Sequence, residues 1–229
     1  MELFPIRPIR GLLFDLDGTL VDSIPDIARS ANAMLDTLGL PTVDITTLVT
    51  WVGNGAGTLV KRALTGEIDE QPAEELFREA LPIFFDHYAN NVFVRSRIYP
   101  EVINTLEQLQ KQNYPMACVT NKPGRHTQAL LQQSGLNVFF DCVVASDTTT
   151  QVKPHPLPLL HACHQMNLPP EDCVMVGDSI NDIKAAKAAL MPVVCLTYGY
   201  NQGIDLTQHD PDLILNRFSH LLNFVCKSA

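Results

Sequence analysis

Gly11-Leu12-Leu13-Phe14-Asp15-Leu16-Asp17-Gly18-Thr19 is the stretch on which the fold turns. An apolar run over roughly residues 9–15 ends in two carboxylates, Asp15 and Asp17, two positions apart. An extended chain points such residues to the same side. Gly18 then lets the backbone turn. Two neighbouring carboxylates repel unless one is protonated or a cation sits between them. The run therefore reads as a buried strand that delivers a pair of acids to its carboxyl end. The plain alternative is a solvated strand end with ordinary turn residues.

Further short apolar runs predict strands near 116–120, 142–145, 173–177, 193–197 and 213–215. Helical spacing fills the intervals, as in Val102, Leu106 and Leu109. Strands alternating with helices imply an α/β fold with a Rossmann-like, doubly wound parallel sheet. The first half breaks that rhythm, because about a hundred residues separate Asp15 from the next convincing strand. Ile27, Ala31, Met34, Leu35 and Leu38 repeat at helical spacing. Ser23 followed by Asp26 resembles a capping box at the start of that helix, and Gly39 with Pro41 closes it. Residues 71–90 predict another helix, kinked at Pro82. A small helical domain over 21–91 is thus expected to be inserted into a core made of 1–20 and 92–229.

Bulk composition narrows the function. The 229 residues are 46% hydrophobic and 18% charged, with a formal net charge of −9. That balance supports a packed core and excludes the basic face needed for nucleic acid. An anionic substrate must then be drawn in by a local cation or metal. The six cysteines (118, 142, 163, 173, 195 and 226) form no C-x-x-C pair and read as free thiols of a reducing compartment. The first residues lack a signal-peptide pattern, and no apolar run is long enough to span a bilayer. A soluble, cytoplasmic protein without membrane partners is expected, as a monomer or homodimer.

Three more motifs sit at predicted strand ends. Val119-Thr120-Asn121-Lys122 offers a hydroxyl and an amide that can hold phosphate oxygens, although a Thr leaving a strand is often only a turn residue. In Lys153-Pro154-His155-Pro156 the proline keeps Lys153 out of the helical region, where its ammonium can neutralise a phosphate. In Val176-Gly177-Asp178-Ser179-Ile180-Asn181-Asp182, Ser179 can cap the next helix with Asp182 completing the cap. Asp178 precedes the cap, at the strand's carboxyl end, where ligand sites of open α/β sheets lie. His161 and His164 lie three apart on a predicted helix; without further ligands nearby they read as helix surface.

Taken in this order, the four motifs resemble those of the haloacid dehalogenase (HAD) superfamily over essentially the whole chain. Within it, Trp51-Val52-Gly53-Asn54-Gly55-Ala56, KPHPLPLL at 153–160 and Thr197-Tyr198-Gly199-Tyr200-Asn201 resemble the bacterial phosphoglycolate phosphatase family. The resemblance implies a hydrolase with a helical cap over the site, acting on a small phosphorylated metabolite with Mg²⁺ as cofactor. It implies Asp15 as nucleophile and metal ligand, and Asp17 as acid/base and as a metal ligand through its backbone carbonyl. Thr120 and Lys153 would hold the phosphoryl group, Asp178 would be the third metal ligand and Asp182 would support the metal from close by. Substrate contacts are expected from Thr120, Asn121 and Lys153, and in the cap from Asn54, Gly55 and Arg62. A dehalogenase or phosphonate hydrolase does not need the acid at Asp17, and a phosphomutase does not call for the 51–56 and 197–201 stretches. A non-catalytic module has no need of Asp15, Asp17, Thr120, Lys153 and Asp178 together. Phosphatases acting on a sugar phosphate or nucleotide share the four general motifs.

Overall fold

Side chains alternate with period two along each strand, and this sets the layering. Leu12, Phe14, Val174, Val176, Val194 and Leu196 pack into one apolar cluster, whereas Leu13, Met175, Val193 and Cys195 pack into another. The structure, a computed structural model, describes residues 8–201 and 203–225. Its main sheet contains β1 (Gly11–Phe14), β4 (Met116–Val119), β5 (Cys142–Val144), β6 (Cys173–Gly177), β7 (Val193–Leu196) and β8 (Leu213–Leu215). The spatial order is β5-β4-β1-β6-β7-β8, with every pairing parallel. The chain therefore runs outward from β1 to one edge, returns, and fills the other edge from β6. In such a doubly wound sheet the ligand crevice lies at the carboxyl ends on either side of that reversal, here at the ends of β4, β1 and β6.

Between β1 and β4 a two-stranded ribbon, β2 (Val21–Asp22) with β3 (Arg97–Ile98), brackets four helices. These are α1 (Ile24–Thr37), α2 (Ile45–Leu48), α3 (Ala56–Thr65) and α4 (Glu74–Ala89). Ile27, Met34, Leu59 and Phe84 from these helices join the same apolar cluster as β1, so the insertion buries its face against the sheet domain. The remaining helices, α5 (Val102–Lys111), α6 (Gly124–Ser134), α7 (Leu157–Gln165), α8 (Ile180–Ala188) and α9 (Leu221–Val225), belong to the sheet domain. None of the described helices is long and apolar enough to cross a membrane. Cys118, Cys142, Cys163, Cys173 and Cys195 are free thiols; Cys226 lies outside the described residues.

One expected cap is absent. Ser23 precedes α1 but makes no side-chain cap bond; its hydroxyl instead donates to Asp17 Oδ1 at 2.6 Å. Asp26 is fully buried and accepts from the backbone N–H groups of Val94, Arg95 and Ser96 and from the Ser96 hydroxyl. Both residues serve contacts between segments rather than the helix end. Pro82 lies inside α4 as expected.

Candidate active site

Three carboxylates converge where β1 and β6 end. Oxygens of Asp15, Asp178 and Asp182 lie within 4.8 Å of one another. Asp182 is fixed by the capping box of α8: its Oδ2 accepts from the Ser179 N–H at 3.0 Å and the Ser179 hydroxyl at 2.6 Å. Its Oδ1 accepts from Lys153 Nζ at 2.7 Å, so one residue closes the cap and also anchors the lysine. Asp178 accepts from the Thr19 hydroxyl at 2.5 Å and from the Tyr200 N–H at 2.6 Å. A side chain at Gly199 or Gly18 would overlap the Asp178 carboxylate, and Gly18 also has φ of +92°, so both positions require glycine.

Two ammonium groups face these acids. Lys153 Nζ lies 2.9 Å from Asp15 Oδ1 and donates to the Val119 carbonyl at 2.7 Å. Lys122 Nζ contacts both oxygens of Asp17, at 3.0 and 2.9 Å. Both lysines are buried. Burial alone would discharge them, but the adjoining carboxylates prevail and push both above the usual range. Burial pushes Asp15 up to about 6 against the pull of Lys153, and Asp182 adds to the rise. Asp178 is raised well above the carboxylate range, by burial first and then by Asp15 and Asp182. The cluster thus carries more negative charge than Lys153 neutralises. An all-oxygen donor set with surplus negative charge fits a hard divalent cation.

Of the expected substrate contacts, Thr120, Asn121 and Gly55 line one pocket between the insertion and the sheet domain, together with the expected catalytic pair Asp15 and Asp17. Several of the expected contacts spend their side chains on protein groups instead. Asn121 spends its side chain on the loops around it, donating to the Gly53 and Lys153 carbonyls and accepting from the Lys153 N–H. Asn54 accepts from the Asn181 amide at 2.7 Å. Arg62, expected to meet a substrate carboxylate, is buried within the insertion and does not line the pocket. Its guanidinium donates to the Trp51 carbonyl at 3.0 Å and the Ile68 carbonyl at 3.2 Å, so it ties two loops together. That replaces the substrate contact expected of it.

Lys122, Thr19, Tyr88 and His126 enter the site without having been singled out by sequence. Lys122 directly follows Asn121 in the quoted motif, so its place was signalled. Tyr88 and His126 reach the pocket only because α4 packs near α6, and no local pattern shows that.

A family model described as haloacid dehalogenase-like hydrolase matches residues 9–189. A protein of Nitrosococcus oceani named phosphoglycolate phosphatase is 43% identical over 218 residues, covering 95% of this chain and 97% of its own. A Colwellia psychrerythraea protein of the same name is 45% identical over 213 residues, covering 92% and 94%. The crystal structure of a predicted phosphoglycolate phosphatase from Haemophilus somnus superposes with a TM-score of 0.89. It is 39% identical, with 96% of this chain and 99% of that one covered.

Proposed function

This chain belongs to the haloacid dehalogenase-like hydrolases, and from that premise we propose that it hydrolyses 2-phosphoglycolate to glycolate and phosphate with Mg²⁺. The observation that carries the reading is Asp15 at the end of β1, held at 2.9 Å by Lys153 and flanked by Asp17. In this reading Asp15 attacks phosphorus and forms an aspartyl-phosphate, splitting one difficult displacement into two easier ones. Asp17 gives a proton to the departing glycolate oxygen, then takes one from the water that attacks the intermediate. Its bonds to Ser23 and Lys122 hold the carboxylate in position between those events.

Lys153 faces the phosphoryl oxygens as a fixed positive charge, with the Thr120 hydroxyl beside them. Asp15, Asp178 and the Asp17 carbonyl would hold Mg²⁺, with Asp182 supporting Lys153 and the loop carrying Asp178. The bound ion would offset the repulsion between the attacking carboxylate and the phosphate dianion. Residues 21–91 act as a cap that excludes bulk water during phosphoryl transfer. Gly53 and Gly55 bring its backbone to the pocket, and the Gly53 carbonyl accepts from Asn121 and Asn181 of the sheet domain.

The test is a panel of phosphorylated metabolites (2-phosphoglycolate, sugar phosphates and nucleotides) assayed with Mg²⁺. Highest kcat/KM on 2-phosphoglycolate is expected. A higher value on a sugar phosphate or nucleotide would replace the substrate and leave the phosphatase chemistry standing.

A further inference from the structure

Two buried polar side chains in the same pocket make no hydrogen bond of good geometry. His126, in the first turn of α6, is 4% exposed, and Tyr88, in the last turn of α4, is 3% exposed. Neither imidazole nitrogen nor the phenol oxygen makes a hydrogen bond of good geometry, although the Lys122 ammonium lies close enough to the phenol to interact with it. Both residues line the pocket that contains Asp15 and Asp17. Buried polar atoms in proteins are nearly always paired, so an imidazole without a well-formed bond beside a phenol whose proton has no acceptor needs an explanation. These atoms are closed to solvent in this arrangement, and an occupant that pairs with them as the covering rings shift supplies it.

Packing fixes where these atoms sit. The His126 ring stacks on Phe85 with centroids 5.0 Å apart and leans on Tyr88 at 5.3 Å. Tyr88 in turn stacks on Phe84 at 5.8 Å. Lys122 Nζ lies over the Tyr88 ring, 4.7 Å from its centroid, and so places positive charge beside the pair. Burial and the Lys122 ammonium hold His126 below the usual imidazole range; the Phe85 carbonyl opposes this weakly and is not in hydrogen-bonding geometry. Burial pushes the Tyr88 phenol up to about 12. Each ring therefore offers a donor, an N–H and an O–H. Ile27, Leu59 and Phe84 give the pocket an apolar part, while Thr120, Asn121 and Lys122 belong to its lining beside Asp15 and Asp17.

Two fixed donors beside a cation match an anion with two oxygens. We propose that His126 and Tyr88 are specificity-determining residues that hold the carboxylate of a small phosphorylated acid in this pocket. The assignment rests on the phosphatase reading, and it fills the role that Arg62 does not.

Tyr88→Phe and His126→Phe test it, because both keep an aromatic ring in the stack. The two substrates are 2-phosphoglycolate and ethyl phosphate, which share the ester but differ in the carboxylate. A hydrogen bond to a charged group is worth roughly 10–100-fold in binding, and a kcat/KM loss of that size is expected on 2-phosphoglycolate, with ethyl phosphate little changed. Unaltered melting temperatures would show that the fold is intact. Tyr88→Phe removes a single oxygen and remains a test if His126→Phe fails to fold. Equal losses on both esters, or none on either, would overturn the proposal. A wild-type enzyme that turns over both esters without preferring 2-phosphoglycolate would overturn the carboxylate assignment and spare the phosphatase reading. Absence of turnover on any phosphate ester would overturn both.

Discussion

At Asp15 burial outweighs a salt bridge: the carboxyl rises to about 6 from an ordinary 3.8 although Lys153 lies 2.9 Å away. Between those values the folded protein keeps a proton that the unfolded chain has lost. Without metal, this contribution to stability is full below about pH 4 and is lost as pH rises toward 6. Asp15→Asn removes that titration. In chelator, wild type should lose melting temperature relative to Asp15→Asn as pH rises through this window, and parallel curves would contradict the burial argument. Asp17 makes a separate prediction. Asp17→Asn should slow turnover by roughly 10²–10⁴-fold on alkyl phosphates, the usual worth of a positioned proton donor. The loss on p-nitrophenyl phosphate should be smaller, because that leaving group needs no proton. Equal losses on both would remove Asp17 from the acid role.

Strand ends and loop contacts place these residues. Asn181, at the start of α8, donates to the Gly53 carbonyl at 3.2 Å and to Asn54 Oδ1 at 2.7 Å, while Asn121 reaches Gly53 from the other side. Residues 53–54 are therefore pinned to the sheet domain by side-chain amides. Asn181→Ala should speed hydrogen exchange across 53–58 and lower kcat/KM while sparing the sheet core. Unchanged exchange there would mean that the apolar contacts alone hold the insertion down. The strands were legible because β1, β4, β6 and β7 are buried on both faces and read as continuous apolar runs. The two capping boxes show the limit of that reading. Ser179 with Asp182 forms one, since both partners are local. Ser23 with Asp26 has the same spacing, but Asp26 is claimed by residues 94–96, about seventy positions away. A local pattern carries no trace of that competition.

Across the whole molecule, the doubly wound topology brings the ends of β1, β4 and β6 together, so four separated motifs meet at one place. Asp15, Thr120 and Asp178 could be named from sequence because each directly follows a strand, and Lys153 because Pro154 marks its loop ahead of α7. Tyr88 and His126 could not, since their meeting depends on how the insertion docks on α6. The clustered carboxylates also predict a metal requirement. Activity should vanish in chelator and return with Mg²⁺. Ca²⁺ should bind without supporting turnover, because it accepts more oxygens at longer distances and lets Asp15 bind in a way that spoils its attack. Full activity in chelator would contradict the metal reading.

Covalent catalysis by Asp15 is the central claim, and mass spectrometry of acid-quenched enzyme tests it most directly. Enzyme mixed with 2-phosphoglycolate and Mg²⁺ should yield one phosphoryl group, on the peptide containing Asp15 and on no other. Asp15→Asn should yield none. Rapid turnover with no phosphorylated peptide at any quench time, or phosphate on a different residue, would contradict the account.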